Sequence, residues 1–173
     1  MTIPELGDMK ECEDGCFDST PIAVPVLGGK LCTITLEKFS DDPKQEEFLV
    51  AVRNFLAIPP DVLKEAEVAL YKYYKNCAEY VEDDEILKID SPSEVWKYIT
   101  LGNQVWVKRR AYGDKGIYVI LDSDCEWEVE HGLQIVLKNG LKVNKIGPFD
   151  GHLTNSDSYD REDYEDAIYP GVS

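Results

Sequence analysis

Apolar positions alternate from Pro21 to Leu36. Ile22, Val24 and Val26 lead to Gly28-Gly29, and Ile34 and Leu36 then return opposite Leu31, Thr33 and Thr35. Two β-rich runs around a Gly-Gly pair predict a hairpin. The period then changes to that of a helix. Asp42-Pro43-Lys44-Gln45 offers a cap, a proline for the first helical position and a glutamine to complete a capping box. Phe48, Val52, Phe55 and Leu56 follow on one face, and Ile58-Pro59-Pro60 breaks the run. A second helix is expected through Val62, Leu63, Ala66, Ala69, Leu70, Tyr73 and Tyr74, folding back on the first. Ser91-Pro92-Ser93-Glu94 opens a short third helix carrying Val95, Trp96 and Ile99, with Gly102 as its stop.

The remainder to about Gly147 reads as strands. Val105 and Val107 alternate with Trp106 and Lys108, and Ile117 to Leu121 is a continuous apolar run suited to a central strand. Leu133, Ile135 and Leu137 lead into Asn139-Gly140, a strong hairpin signal, and Leu141, Val143 and Ile146 come back. Grouped helices and grouped strands predict an α+β fold: an antiparallel sheet, made of the hairpin and a C-terminal meander, with two to three helices on one face. One domain over 1–173 is expected, with residues 1–20 an irregular lead-in. Residues 157–173 are either a mobile acidic tail or a short helix seated by Tyr159, Tyr164 and Ile168. Phe48, Phe55, Leu70, Trp96, Ile120, Trp127 and Ile135 are expected to be mostly buried.

Charge narrows the partners. Thirty-four acids against 18 lysines and arginines give a net charge of −16. Such a chain repels phosphates and anionic lipid, so neither nucleic acid nor a membrane is the expected partner. The charge serves either solubility or a protein with a basic surface. No run of residues is apolar enough for a membrane span and the first residues lack a signal-peptide pattern, so the expected location is the cytoplasm. Five cysteines at irregular spacing suit free thiols; Cys12 and Cys16 lack the second pair that a zinc site needs. No cofactor and no metal are expected, and none of the common catalytic motifs is present.

Polar density is highest in two passages, Cys125 to Leu133 and Asp150 to Thr154, which hold both histidines. Three readings compete for Trp127, His131, Gly132, Asp150, Gly151 and His152. The histidines and a carboxylate from Glu128, Glu130 or Asp150 could hold a metal. A histidine and a carboxylate could form an acid/base pair. Or the histidines are structural and close together, each bonded to a backbone group or carboxylate, the commonest arrangement beside glycines at strand ends. Read as extended, Glu126, Glu128 and Glu130 share one strand face, opposite Trp127, Val129 and His131. Lys108-Arg109-Arg110 is expected to pair with acids on neighbouring strands.

Trp127 to Leu133, the Asn139-Gly140 turn and Asp150 to Thr154, with Ser93 to Trp96 upstream, resemble a family of small bacterial proteins of uncharacterised function. That family shares a Trp-Glu-x-Glu-His-Gly-Leu strand and an Asp-Gly-His-Leu-Thr passage. Some proteins of this kind look like predicted immunity proteins of polymorphic toxin systems. The resemblance implies an interaction protein and carries no catalytic residues. The functional expectation is an acidic cytosolic protein-binding domain, with an immunity protein against a basic toxin as its specific form; a metal-dependent or acid/base enzyme using His131 and His152 is the alternative. The acids expected to face the partner are Glu82, Asp83, Asp84 and Glu85; Glu126, Glu128 and Glu130; and Asp157, Asp160, Glu162 and Asp163.

Overall fold

The clearest alternation in the sequence builds the centre of the sheet. In this computed structural model, which describes residues 1–82 and 87–171, β7 (Ile117–Cys125) lies between β6 (Ile99–Arg109) and β8 (Glu128–Lys138). β9 (Lys142–Gly147) follows β8 through the Asn139-Gly140 turn, where both residues take positive φ. Ile117 through Leu121 are buried without exception, as a strand covered on both faces requires. Odd and even positions serve different layers. Val105, Val107, Val119, Leu121, Leu133, Ile135 and Leu137 enter the main core, while Trp106, Tyr118, Ile120 and Val136 form a smaller cluster behind the sheet.

The expected first hairpin is present as β4 (Ile22–Val24) and β5 (Lys30–Leu36), which pair antiparallel. A short 3-10 turn, Pro25–Leu27, lies between them and ends on Gly28. Residues 1–20 are not the irregular lead-in that their polarity suggests. They form β1 (Thr2–Ile3), β2 (Gly7–Glu11) and β3 (Phe17–Ser19), and Ile3, Leu6 and Met9 are buried. Met9 is the one buried residue of β2, too little for a period to show in the sequence. All described strand pairs are antiparallel except β5 with β6, where Thr33–Leu36 run parallel to Gln104–Val107. Among the described residues the fold is thus α+β, with a nine-stranded, mostly antiparallel open sheet.

The helical layer departs from the sequence reading at three points. α1 (Gln45–Ala57) begins after Pro43, and Asp42 accepts from Lys44 N–H instead of capping the helix. The second helix splits into a 3-10 segment, Pro60–Ala66, and α2 (Glu67–Ala78). α1 packs on β7, β6 and the Pro25–Leu27 turn, and α2 on the Pro92–Tyr98 turn, the preceding 3-10 segment and β9, so each helix rests on other elements more than on its fellow. Pro92–Tyr98 is itself a 3-10 turn that ends before Ile99, not a helix reaching Gly102. Gly102 lies within β6, where an added Cβ would stand 2.0 Å from the Asp122 carbonyl oxygen. Its role is close strand approach.

Phe48, Phe55, Leu70, Ile120 and Ile135 are buried, whereas Trp96 and Trp127 are half-buried and pack against the core from its margin. The acidic tail is folded: α3 (Asn155–Tyr159) and a 3-10 turn, Glu162–Tyr164, lead to Ile168, whose carbonyl accepts from Ile146 N–H of β9. Among the described residues no helix is long and apolar enough to cross a membrane.

Candidate functional site

Two buried cations anchor the C-terminal segment. Arg110, 4% exposed, donates through Nε and Nη2 to both oxygens of Asp157 (2.8 and 2.7 Å) and through Nη1 and Nη2 to both oxygens of Glu165 (2.5 and 3.0 Å). Ser156 Oγ accepts a further contact at 3.1 Å. Planar, two-pronged pairing of this kind is what a guanidinium does better than an ammonium. Lys145 is buried in β9 and donates to Asp150 Oδ1, Ser158 Oγ and the His152 carbonyl. Gln134, fully buried on β8, donates to Asp150 and the same carbonyl. Every oxygen of Asp150 is therefore spoken for, Oδ2 by Ser158. The basic run does pair with acids as expected, but the strongest of them come from the approach to α1 and from the C-terminal segment. Arg109 takes Asp42 (2.6 Å) and Glu47 (2.6 Å).

With that segment in place, a groove of about 290 Å³ opens between the end of α2, the start of β8 and the chain after β9. Tyr73, Tyr80, Phe149, Tyr159 and Tyr169 line it, together with Glu128, His131 and Asp150. Tyr73 and Tyr169 lean together at 5.3 Å, and Tyr73 also meets the half-buried Trp127 edge-on. The Trp127 N–H is buried without an acceptor among the described residues. Tyr80 is 79% exposed, and Phe149 and Tyr159 are exposed as well. Cys77 is also in the lining, but burial pushes its thiol up to about 11, and that of Cys125 up to about 12. Burial thus disfavours the thiolate, the nucleophilic form, at both.

The extended Glu126–Glu130 face does not exist. The chain turns at Glu126-Trp127, and Cys125 pairs with Glu128 across the turn. Glu126 and Glu130 are exposed, while Glu128 folds back so that Oε1 accepts from Glu130 and His131 N–H. Burial would raise the Glu128 carboxyl, but these N–H groups and the His131 imidazole outweigh it and hold the carboxyl low. His131 Nδ1 stands 3.4 Å from Glu128 Oε2 and is 61% exposed. His152 is also exposed, and its side chain does not line the groove; its backbone does the structural work. His131 thus meets a carboxylate, as the structural reading expects, but at an exposed site, whereas His152 joins the buried network through its backbone carbonyl and not its ring. Gly132 and Gly151 both take positive φ beside these histidines. Among the described residues no three His, Cys, Asp or Glu side chains converge as a metal site would need.

The tail acids have separate fates. Asp157 belongs to Arg110, and Asp163 is paired with Arg161. Asp160 and Glu162 are exposed and, with Asp157 and Glu165, line a second depression of about 350 Å³. Glu82 is exposed, and Asp83, Asp84 and Glu85 lie outside the described residues. The sequence reading missed Lys145, Arg110 as an anchor, and the aromatic lining. The available signal was a lysine inside a strand, five residues before an Asp-Gly.

A domain of unknown function, DUF6985, matches residues 6–153. The chain belongs to that family. The match covers β2 to β9 with α1 and α2 and ends just before α3, so Tyr159, Tyr169, Asp157 and Glu165 lie beyond it. No curated protein matches the chain. No solved structure matches it either.

The ion pairs give the fold an acid limit. Arg109 holds Asp42 low, Arg110 holds Asp157 and Glu165 low, and Lys145 overcomes burial to hold Asp150 low. Burial raises Asp114, yet Lys138, the Gly116 N–H and Tyr118 bring it down to about 2. Each folded value lies below its unfolded one, near roughly 4. The stabilisation is therefore complete above about pH 4.5 and lost as pH falls toward about 2. Urea unfolding at intervals from pH 6 to 2.5 should show a midpoint that falls steeply below about pH 4. A flat midpoint across that range would contradict these pairings.

Proposed function

We propose that this domain binds a protein with a basic surface, and that its role is that of an immunity protein neutralising a basic bacterial toxin. One observation carries the reading: an open groove walled by exposed aromatic rings contains a carboxylate, Glu128, that faces no lysine or arginine within 4 Å among the described residues. Aromatic anchors with a polar rim are the composition of energetic centres in interfaces. The net charge of −16 adds a long-range field that favours basic partners and repels acidic ones. For the acid/base alternative, the supporting feature is the Glu128–His131 contact.

The test is stopped-flow association with a candidate basic toxin domain. Raising ionic strength from about 0.01 to 0.15 M should slow association by about 10- to 100-fold, as the screening length shrinks from roughly 30 to 8 Å. Neutralising Glu128, Asp160 and Glu162 should lower the on-rate further. A salt-independent rate, or tight binding that survives those substitutions, would sink the proposal and leave the acidity to solubility.

A further inference from the structure

The walls of the groove define what fits it. Tyr80, Phe149 and Tyr159 present aromatic surface to solvent, and ring faces attract cations. Two carboxylates line the groove, but Asp150 is neutralised by Lys145, which leaves the charge of Glu128. Glu128 Oε1 is already held by two backbone N–H groups, and among the described residues Oε2 has only the 3.4 Å contact with His131. One carboxylate oxygen thus remains available at a half-buried site beside several rings. The protein uses the same pairing elsewhere: the Arg161 guanidinium lies 4.2 Å from the Tyr164 ring centre while donating to Asp163.

We propose that the groove takes the guanidinium of an arginine side chain from the partner, stacked on the Tyr80, Phe149 and Tyr159 rings with Glu128 as its counter-ion. The inference rests on the protein-binding reading and names the group recognised. Arginine suits it better than lysine because a flat, weakly hydrated guanidinium can stack and still turn N–H groups toward a carboxylate. A lysine ammonium loses more hydration on entering the same space. Two of the rings lie in the described segment beyond the family match, Tyr159 and Tyr169, so the pocket is completed by the strap that Arg110 and Lys145 hold down.

The experiment is an NMR titration of the full chain with acetyl-Gly-Arg-Gly-amide in about 0.15 M salt, where the long-range field is largely screened. Citrulline and lysine versions of the peptide serve as comparisons; citrulline keeps the shape and removes the charge. The arginine peptide should give saturable shifts at the backbone amides of Tyr80, His131, Phe149 and Tyr159. It should bind about 3- to 10-fold tighter than either comparison. Glu128→Gln and, separately, Tyr80→Ala should each weaken it by about 3- to 10-fold. Tyr80 is so exposed that its removal leaves the fold intact, which keeps the test valid even if Glu128→Gln perturbs the turn. Equal binding of the citrulline or lysine peptide, or no saturable shift at these amides, overturns the proposal. If the arginine peptide fails while salt-dependent association with the basic toxin domain persists, the guanidinium site is wrong and the protein-binding reading stands.

Discussion

Arg110→Met should cost about 3 kcal/mol of stability and release the segment from Thr154 onward. Methionine fills much of the same space, so the loss is that of charge and hydrogen bonds. Asp157 and Glu165 would then face each other across Ser156 with no cation between them. Both carboxylates are partly exposed and can regain water, which keeps the cost at the lower end for a broken buried pair. Urea unfolding gives the total, and hydrogen exchange locates it: protection at Ser158 and Ile146 N–H should fall before that of β7. A loss below about 1 kcal/mol, with exchange unchanged after Thr154, would show that the segment is held by its apolar contacts alone.

Gly140→Ala should be more damaging, at about 4 kcal/mol, because two penalties coincide. Gly140 takes φ +68°, a region that alanine enters only with strain. An added Cβ would also stand 2.2 Å from the Ala51 carbonyl oxygen and 3.0 Å from Phe55 N. These are backbone atoms of α1, so the helix as a whole must shift. Asn54, which donates to the Asn139 carbonyl from the same helix, would lose its bond in that shift. Gly28→Ala is the control, since its φ is equally positive and no atom lies within 4 Å of the new Cβ. It should cost about 1 kcal/mol. Equal losses in the two variants would mean that helix contact at the turn contributes nothing.

The sequence reveals this fold where one apolar face decides a local structure. The β7 run, the Asn139-Gly140 turn and the Phe48–Phe55 stripe are of this kind. Legibility fails where a distant partner overrides the local pattern. Ser91 to Glu94 carries a good helix start, but Ile99 to Arg109 gains more by pairing with β7, and the turn stops at Tyr98. Glu126 to Glu130 alternates like a strand and yet contains a turn, because Cys125 and Glu128 pair directly. Gln134 is a polar position alternating with Leu133 and Ile135, and Lys145 a charge within an apolar return strand; the C-terminal segment covers both and supplies Asp150 and Ser158 as partners. The groove was half legible. Glu128, His131 and Asp150 stood out as a polar cluster, but its rings come from α2, from Phe149 and from the tail, and no local period links them.

The outermost strands of the sheet bear on how a partner can be met. β1 spans two residues, and the far side of β9 receives the Ile168 carbonyl on Ile146 N–H. Both features blunt the open edge that serves as the usual template for β-augmentation and for runaway self-association. Under the protein-binding proposal, a domain that forgoes strand addition forgoes a sequence-tolerant mode of binding, and selectivity would rest on exposed rings and carboxylates.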